Sequence, residues 1–83
     1  EEELMLNGIK FNASKNNDIV VKDNKIQEID MLLVNGTSVG IVEIKTKVRK
    51  ETIEQLDKIM KEFSFFHSEF KGYKSIGAIA GKV

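Results

Sequence analysis

The sequence predicts an α+β domain organised around a mixed sheet, and three observations carry that expectation. Two apolar runs rich in aliphatic and β-branched residues meet at Asn35-Gly36. From Lys50 to about His67 the apolar spacing changes to that of a helix, and a β-type run, YKSIGAIA, follows at 73–80. Two antiparallel strands can be joined by a tight turn, but a strand reached through a helix needs a crossover and can lie parallel. The expected order is therefore a three-stranded meander, then helix, then strand.

The elements can be justified in order. Residues 18–22, DIVVK, and 26–34 with the leading Lys25, KIQEIDMLLV, are bounded by Asn and Gly and read as strands. An Asn-Gly pair between apolar runs is a strong hairpin signal, which makes Val39 to Lys47 the return strand. The earlier segment, Gly8 to Ser14, fits either one more strand or an irregular lead-in. In the helix, Ile53, Leu56, Met60, Phe63 and Phe66 or His67 fall on one stripe. Thr52 and Gln55 have the spacing of a capping box, with Thr52 accepting from the third amide and Gln55 reaching back. Small residues in 73–80 suit a strand covered on both faces.

Length and composition bound the function classes. Eighty-three residues give at most one domain, and a chain near this size buries only about 60% of the surface its unfolded form exposes. There is no cysteine, so neither a disulfide framework nor a thiolate metal site can be built, which suits a reducing, cytoplasmic setting. No apolar run approaches the roughly 20 residues of a membrane helix, and the leading EEELMLNG is acidic where a signal peptide is basic. Thirteen basic and thirteen acidic residues give zero formal charge, which argues against a domain that lives on non-specific attraction to phosphate. The abrupt apolar finish, IGAIAGKV, reads as a fragment incomplete at both ends.

The stretch GIVEIKTKV, Gly40 to Val48, interrupts an apolar strand with Glu43 and Lys45, which alternation places on one face. On the preceding strand Glu28 and Asp30 likewise share a face. A two-residue turn sets Glu28 opposite Glu43 and leaves Asp30 one diagonal step away, whereas a four-residue loop, Asn35 to Ser38, sets Asp30 directly opposite Glu43. Either even count gathers Asp30, Glu43 and Lys45 within roughly 5 to 8 Å between Cβ atoms; a three-residue loop scatters them, because a slip of one residue reverses the face. Paired carboxylates call for a cation, and hard oxygen ligands suit Mg²⁺ or Mn²⁺ in an open site ready for phosphoryl chemistry. Lys45 would orient the attacking water and stabilise charge growing on the phosphate. The same residues also fit a solvated ladder of surface charges.

EID at 28–30, a gap of twelve residues, then EIK at 43–45 resembles the PD-(D/E)xK nuclease superfamily, with Ile29 standing where the motif has proline. EIDMLLVNG, VGIVEIKTKV and YKSIGAIAG are similar to an uncharacterised bacterial branch of it, over roughly residues 26–81. The resemblance implies a restriction-endonuclease-like core and Mg²⁺-dependent (or Mn²⁺-dependent) hydrolysis of nucleic-acid phosphodiesters. It implies that Asp30 and Glu43 bind the metal with the carbonyl of Ile44, and that Lys45 is the catalytic lysine. Members also place a helix before the meander; Glu1 to Glu3 stand where its tail would fall, and a closing helix and strand would follow Gly81. The superfamily includes members that keep the fold without cleavage, which leaves a nuclease-fold module binding nucleic acid or a protein as the alternative.

Around this site Lys47, Arg49 and Lys50 are candidates to hold a phosphate backbone, with Lys58, Lys61, Lys71 and Lys74 extending a basic rim. The expected partner is nucleic acid, DNA before RNA, with no membrane. Glu28 and Gln55 are candidates to support the site from behind. His67, the one histidine, reads as a packed helix end. The aromatic group Phe63, Phe65, Phe66 and Phe70 reads as core, with an exposed part that could drive a homodimer.

Overall fold

The computed structural model describes residues 4–81. Its elements are β1 (Leu4–Leu6), β2 (Ile9–Phe11), β3 (Ala13–Lys22), β4 (Lys25–Val34), β5 (Ser38–Lys45), α1 (Lys50–Phe66), a 3-10 turn at Ser68–Phe70 and β6 (Lys74–Gly81). The main sheet has the order β3-β4-β5-β6, antiparallel except for the β5–β6 pair, and β1 and β2 form a separate two-stranded sheet. This is an α+β domain with a mixed sheet, as the period changes along the chain require. Glu1 to Glu3 lie outside the described residues, and Leu4 begins a strand.

The turns follow from which residues tolerate positive φ. Asn7 and Gly8, at φ 51° and 77°, join Leu6 directly to its partner Ile9, the two-residue hairpin with both central residues left-handed that Asn-Gly favours. Asp23 and Asn24, at 50° and 63°, do the same between Lys22 and Lys25. Asn35-Gly36 behaves differently. Neither residue has positive φ; Val34 pairs with Val39 across the four-residue loop Asn35 to Ser38. There Asn35 Oδ1 accepts the N–H of Thr37 at 2.8 Å and of Ser38 at 2.6 Å. The side chain thus replaces a backbone acceptor inside the loop.

The sheet buries both faces. Ile29, Leu32, Val39 and Ile41 pack against Ile59 and Phe63 of α1, while Leu33, Val42 and Ile76 pack with Phe11 beneath the β1–β2 hairpin. Burying each such side chain contributes about 1.5–3 kcal/mol. The segment from Gly8 to Ser14, open between a strand and a lead-in, therefore supplies all of β2 and the start of β3, and its Ile9 and Phe11 form one wall of the core. The helix stripe is rotated from its expected position: Thr52, Ile59, Phe63 and Phe66 are buried, whereas Ile53 is 57% exposed. Arg49, not Thr52, is the N-cap; Thr52 sits three residues in, where its Oγ1 accepts the Arg49 N–H at 3.2 Å. The expected Thr52–Gln55 box is thus displaced by one turn, because the helix begins before Thr52.

At one row the sheet departs from alternation. Ile29 packs on the helix side together with Leu32 and Val34, yet Met31 and Leu33 pack on the hairpin side. β4 therefore slips by one residue across Asp30. β3 slips in step: Asn17 takes φ 55°, and the pairs on either side, Asn16 with Met31 and Asp18 with Ile29, keep one register. Strict alternation, which tied Glu28 to the face of Asp30, does not hold across this point.

Candidate functional site

The four-residue loop sets the count so that Asp30 falls opposite Glu43, one step beyond the last regular pair, Met31 with Val42. Past that pair the strands exchange carboxylate bonds in place of ladder bonds. The Asp30 N–H donates to Glu43 Oε2 at 3.1 Å, and the Ile44 N–H donates to Asp30 Oδ2 at 2.8 Å. Each carboxylate satisfies a main-chain donor of the other strand, which answers the accounting that buried backbone groups impose. Each also keeps acceptor capacity, since an ionised carboxylate has about four lone-pair sites.

β5 positions the rest. Val39 and Ile41 face the helix, while Val42 and Ile44 face the hairpin. Alternation therefore sends Glu43 and Lys45 to the helix side of the sheet. Glu43 is 3% exposed, and Lys45 and Asp30 are half-buried. Burial raises the Glu43 carboxyl above its ordinary value of 4.5; the Asp30 N–H opposes this, the Asp30 charge adds to it and the Lys45 ammonium lowers it again. Asp30, Glu43 and Lys45 are thus electrostatic neighbours.

The two carboxylates are hard oxygen donors, the type a small divalent cation takes when it binds one or two protein carboxylates. Among the described residues, no group of three or more His, Cys, Asp or Glu side chains converges on a common point. Among the described residues, the acidic contribution there is the two carboxylates of Asp30 and Glu43.

The basic candidates surround this pair unevenly. Lys47, Arg49 and Lys50 are exposed on the segment that leads from β5 into α1. Lys61 is paired with Asp57 at 2.8 Å on the helix surface. Lys58 lines a groove of about 460 Å³ with Ile26, Gln27, Glu28, Gln55, Ile59 and Glu62. Glu28 and Gln55 both line this groove, whose walls include none of Asp30, Glu43 and Lys45. The pairing of β4 with β5 ends at Met31–Val42, so among the described residues no strand pairs with Glu28 on that side.

Two features escaped the sequence reading, a second groove and the placement of Asp18 against His67. Asn16, Asn17, Asp30, Met31 and Ile44 line a second groove of about 370 Å³; a pair of asparagines amid a strand is the signal, because Asn tolerates left-handed backbone. His67 is buried at 3% exposure, its Nε2 2.8 Å from Asp18 Oδ2, with Lys15 Nζ 3.0 Å from the other Asp18 oxygen. It stacks on Phe63 at 4.5 Å between ring centroids, so it is packed, as its place at a helix end suggested. Phe63 and Phe66 are core, while Phe65 is partly exposed beneath the ammonium groups of Lys22 and Lys25. No helix among the described residues is long and apolar enough to cross a membrane.

Comparison with known proteins finds no matching family model, no similar curated protein and no similar solved structure.

Proposed function

We propose that this chain carries a divalent-metal-dependent site for hydrolysing the phosphodiester bonds of nucleic acid, DNA in the first place. The observation that carries the reading is the reciprocal bonding of Asp30 and Glu43 at the splayed end of β4 and β5, with Lys45 beside them. A structural pairing would be served by neutral side chains. Two carboxylates brought together, one of them with its proton affinity raised, cost stability that a bound cation would return.

In this reading Asp30, Glu43 and the Ile44 carbonyl hold Mg²⁺ or Mn²⁺, which when bound polarises a phosphate oxygen as a Lewis acid. Lys47, Arg49 and Lys50 bind the flanking phosphates. The oxygen of a water molecule adds to phosphorus, the ester P–O bond opposite it breaks, and the proton released by the water ends on the departing oxygen. Lys45 faces the negative charge that grows on the phosphate, a role whose removal typically costs about 10²–10³ in rate.

The test is incubation of the protein with plasmid, linear duplex, single-stranded DNA and RNA, with Mg²⁺ or Mn²⁺. Cleavage that falls at least about 10²-fold in Lys45→Ala supports the reading. Absence of cleavage on every substrate, or equal rates for Lys45→Ala and wild type, overturns it. The burial of Glu43 to 3% exposure favours a second reading, a non-cleaving module of the same architecture that binds nucleic acid or protein. Retained DNA binding without cleavage would select it.

A further inference from the structure

The first half of β4 has a free edge. Its pairing with β5 ends at Met31–Val42, while its pairing with β3 continues to Lys22–Lys25. The two-residue turn makes Lys22 and Lys25 a hydrogen-bonded pair. Alternation then directs the main-chain groups of Lys25, Gln27 and Ile29 to β3 and those of Ile26 and Glu28 to the other side. The Asp30 N–H, next in that series, points there too, since it donates to Glu43. Among the described residues nothing bonds to the main-chain groups of Ile26 and Glu28 on this side, and such an edge is a template for another strand. Beside it runs the groove of about 460 Å³ bordered by Gln55, Lys58 and Glu62 of α1. Gln27 lines this groove and is 4% exposed. Its Nε2 donates to the Ile59 carbonyl at 3.2 Å, yet its Oε1 is buried with no hydrogen-bond partner among the described residues.

We infer that the free edge of β4 binds the same edge of a second copy of this chain, giving a two-fold dimer with one continuous sheet. The inference is independent of the proposed metal site. Antiparallel pairing centred on Gln27 sets Ile26 opposite the partner's Glu28 in the hydrogen-bonded positions. It sets Gln27 opposite the partner's Gln27 in a non-hydrogen-bonded position, where Cβ atoms come within roughly 4.5–5.5 Å. A primary amide has two N–H donors and an acceptor oxygen. Each Gln27 keeps one N–H on Ile59 and gives the other to the oxygen of the partner's Gln27, so a second copy brings the donor that the buried Oε1 lacks. The two-fold axis passes beside Ile59, which Gln27 touches, and turns Lys58 of one α1 towards the partner's Glu62. Ile26, 63% exposed, gains the partner's Ile26 as its diagonal neighbour on the opposite face. A strand of another protein could take the main-chain bonds, but the amide pair, the charge pair and the isoleucine pair all match this edge to itself. The contact is smaller than a standard interface, so the dimer is weak and concentration-dependent.

The test is sedimentation equilibrium of the intact chain at low salt, over about 10 µM to 1 mM protein. Wild type is expected to pass from monomer to dimer across this range. Lys58→Glu and Glu62→Lys should each dimerise at least about tenfold more weakly, because each sets like charges across the interface. An equal mixture of the two should regain wild-type affinity, since opposite charges then face each other only between unlike copies. Amide hydrogen exchange on wild type supplies a measurement that needs no variant: the Ile26 and Glu28 N–H groups should exchange more slowly as the dimer fills. A wild type that stays monomeric throughout overturns the inference and leaves the edge to a strand of a different protein. A dimer whose Ile26 and Glu28 amides exchange as fast as in the monomer overturns it, as does a mixture no tighter than either variant alone.

Discussion

Asp30→Asn is expected to stabilise the metal-free protein at neutral pH while abolishing its proposed activity. Asp30 and Glu43 stand opposite each other, and like charges about 6 Å apart repel by roughly 2–3 kcal/mol at an effective dielectric of 20. Asp30 is half-buried, so solvent screening brings this to about 2 kcal/mol. Asparagine keeps an oxygen to accept the Ile44 N–H, now bonded at 2.8 Å, but a neutral acceptor gives up about 1 kcal/mol of a charge-assisted bond. The net is a gain of about 1 kcal/mol, or a rise of about 4–8 °C in Tm for a domain of this size. Asp30→Ala removes the repulsion too, but orphans the Ile44 N–H at a cost of about 1–3 kcal/mol, and should be no more stable than wild type.

The pH dependence sharpens this prediction. Folded Glu43 holds its proton more tightly than the unfolded chain, whose value is near 4.5. Wild-type stability therefore falls as pH rises from about 4.5 through the raised folded value, and the penalty from charged Glu43 is complete only above it. Protonating Glu43 removes the same repulsion that Asp30→Asn removes. The stability difference between variant and wild type should accordingly shrink as pH drops from 7 towards 4, and millimolar Mg²⁺ should narrow it by stabilising wild type alone. Urea denaturation followed by circular dichroism measures every term. A variant destabilised by 1 kcal/mol or more at pH 7, with a difference constant down to pH 4, would refute the reasoning.

Other outcomes follow from the packing. A Cβ on Gly40 would lie 3.2 Å from both Leu33 Cβ and Leu6 Cδ2; Gly40→Ala should lower stability by about 1–3 kcal/mol in chemical denaturation, as overpacking does. Phe63→Ala should cost about 3–5 kcal/mol by the same assay, since Phe63 is 4% exposed and meets Ile29, Ile41 and Ile59 in one cluster. Asp18→Ala leaves the buried His67 ring nitrogen without the carboxylate beside it and should cost about 1–3 kcal/mol, whereas Asp18→Leu combined with His67→Leu should recover most of that loss in thermal unfolding.

Several elements could be read from local pattern because local pattern causes them. The change of apolar period at Lys50 marks α1, and the crossover it implies makes β6 parallel to β5. The even-count condition on the Asn35 loop was also readable, though not which even number applies. That was decided by Asn35 Oδ1 accepting two backbone N–H groups, which favours the four-residue loop over the tight turn that Asn-Gly usually makes. The tight Asn-Gly turn occurs at Asn7-Gly8 instead, between strands of three residues each that are too short to announce themselves. The stripe of α1 was misplaced by Ile53 because periodicity tolerates a rotation that only the packing partner fixes.

By itself, then, the sequence determined the kinds of element, their order, and the bringing together of Asp30, Glu43 and Lys45 once the loop count is even. It did so because side-chain periods of 2 and 3.6 and the parity of a hairpin are local properties of the chain. Only the tertiary structure decided the slip at Asp30, the left-handed Asn17 beside it, the divergence that parts Glu28 and Gln55 from the carboxylates, and the burial of Asp18 against His67. Each depends on two sheet faces being covered at once, by α1 on one side and the β1–β2 hairpin on the other. A strand that must satisfy both coverings breaks its alternation where a polar row can take over the backbone hydrogen bonds, and that row is the candidate site.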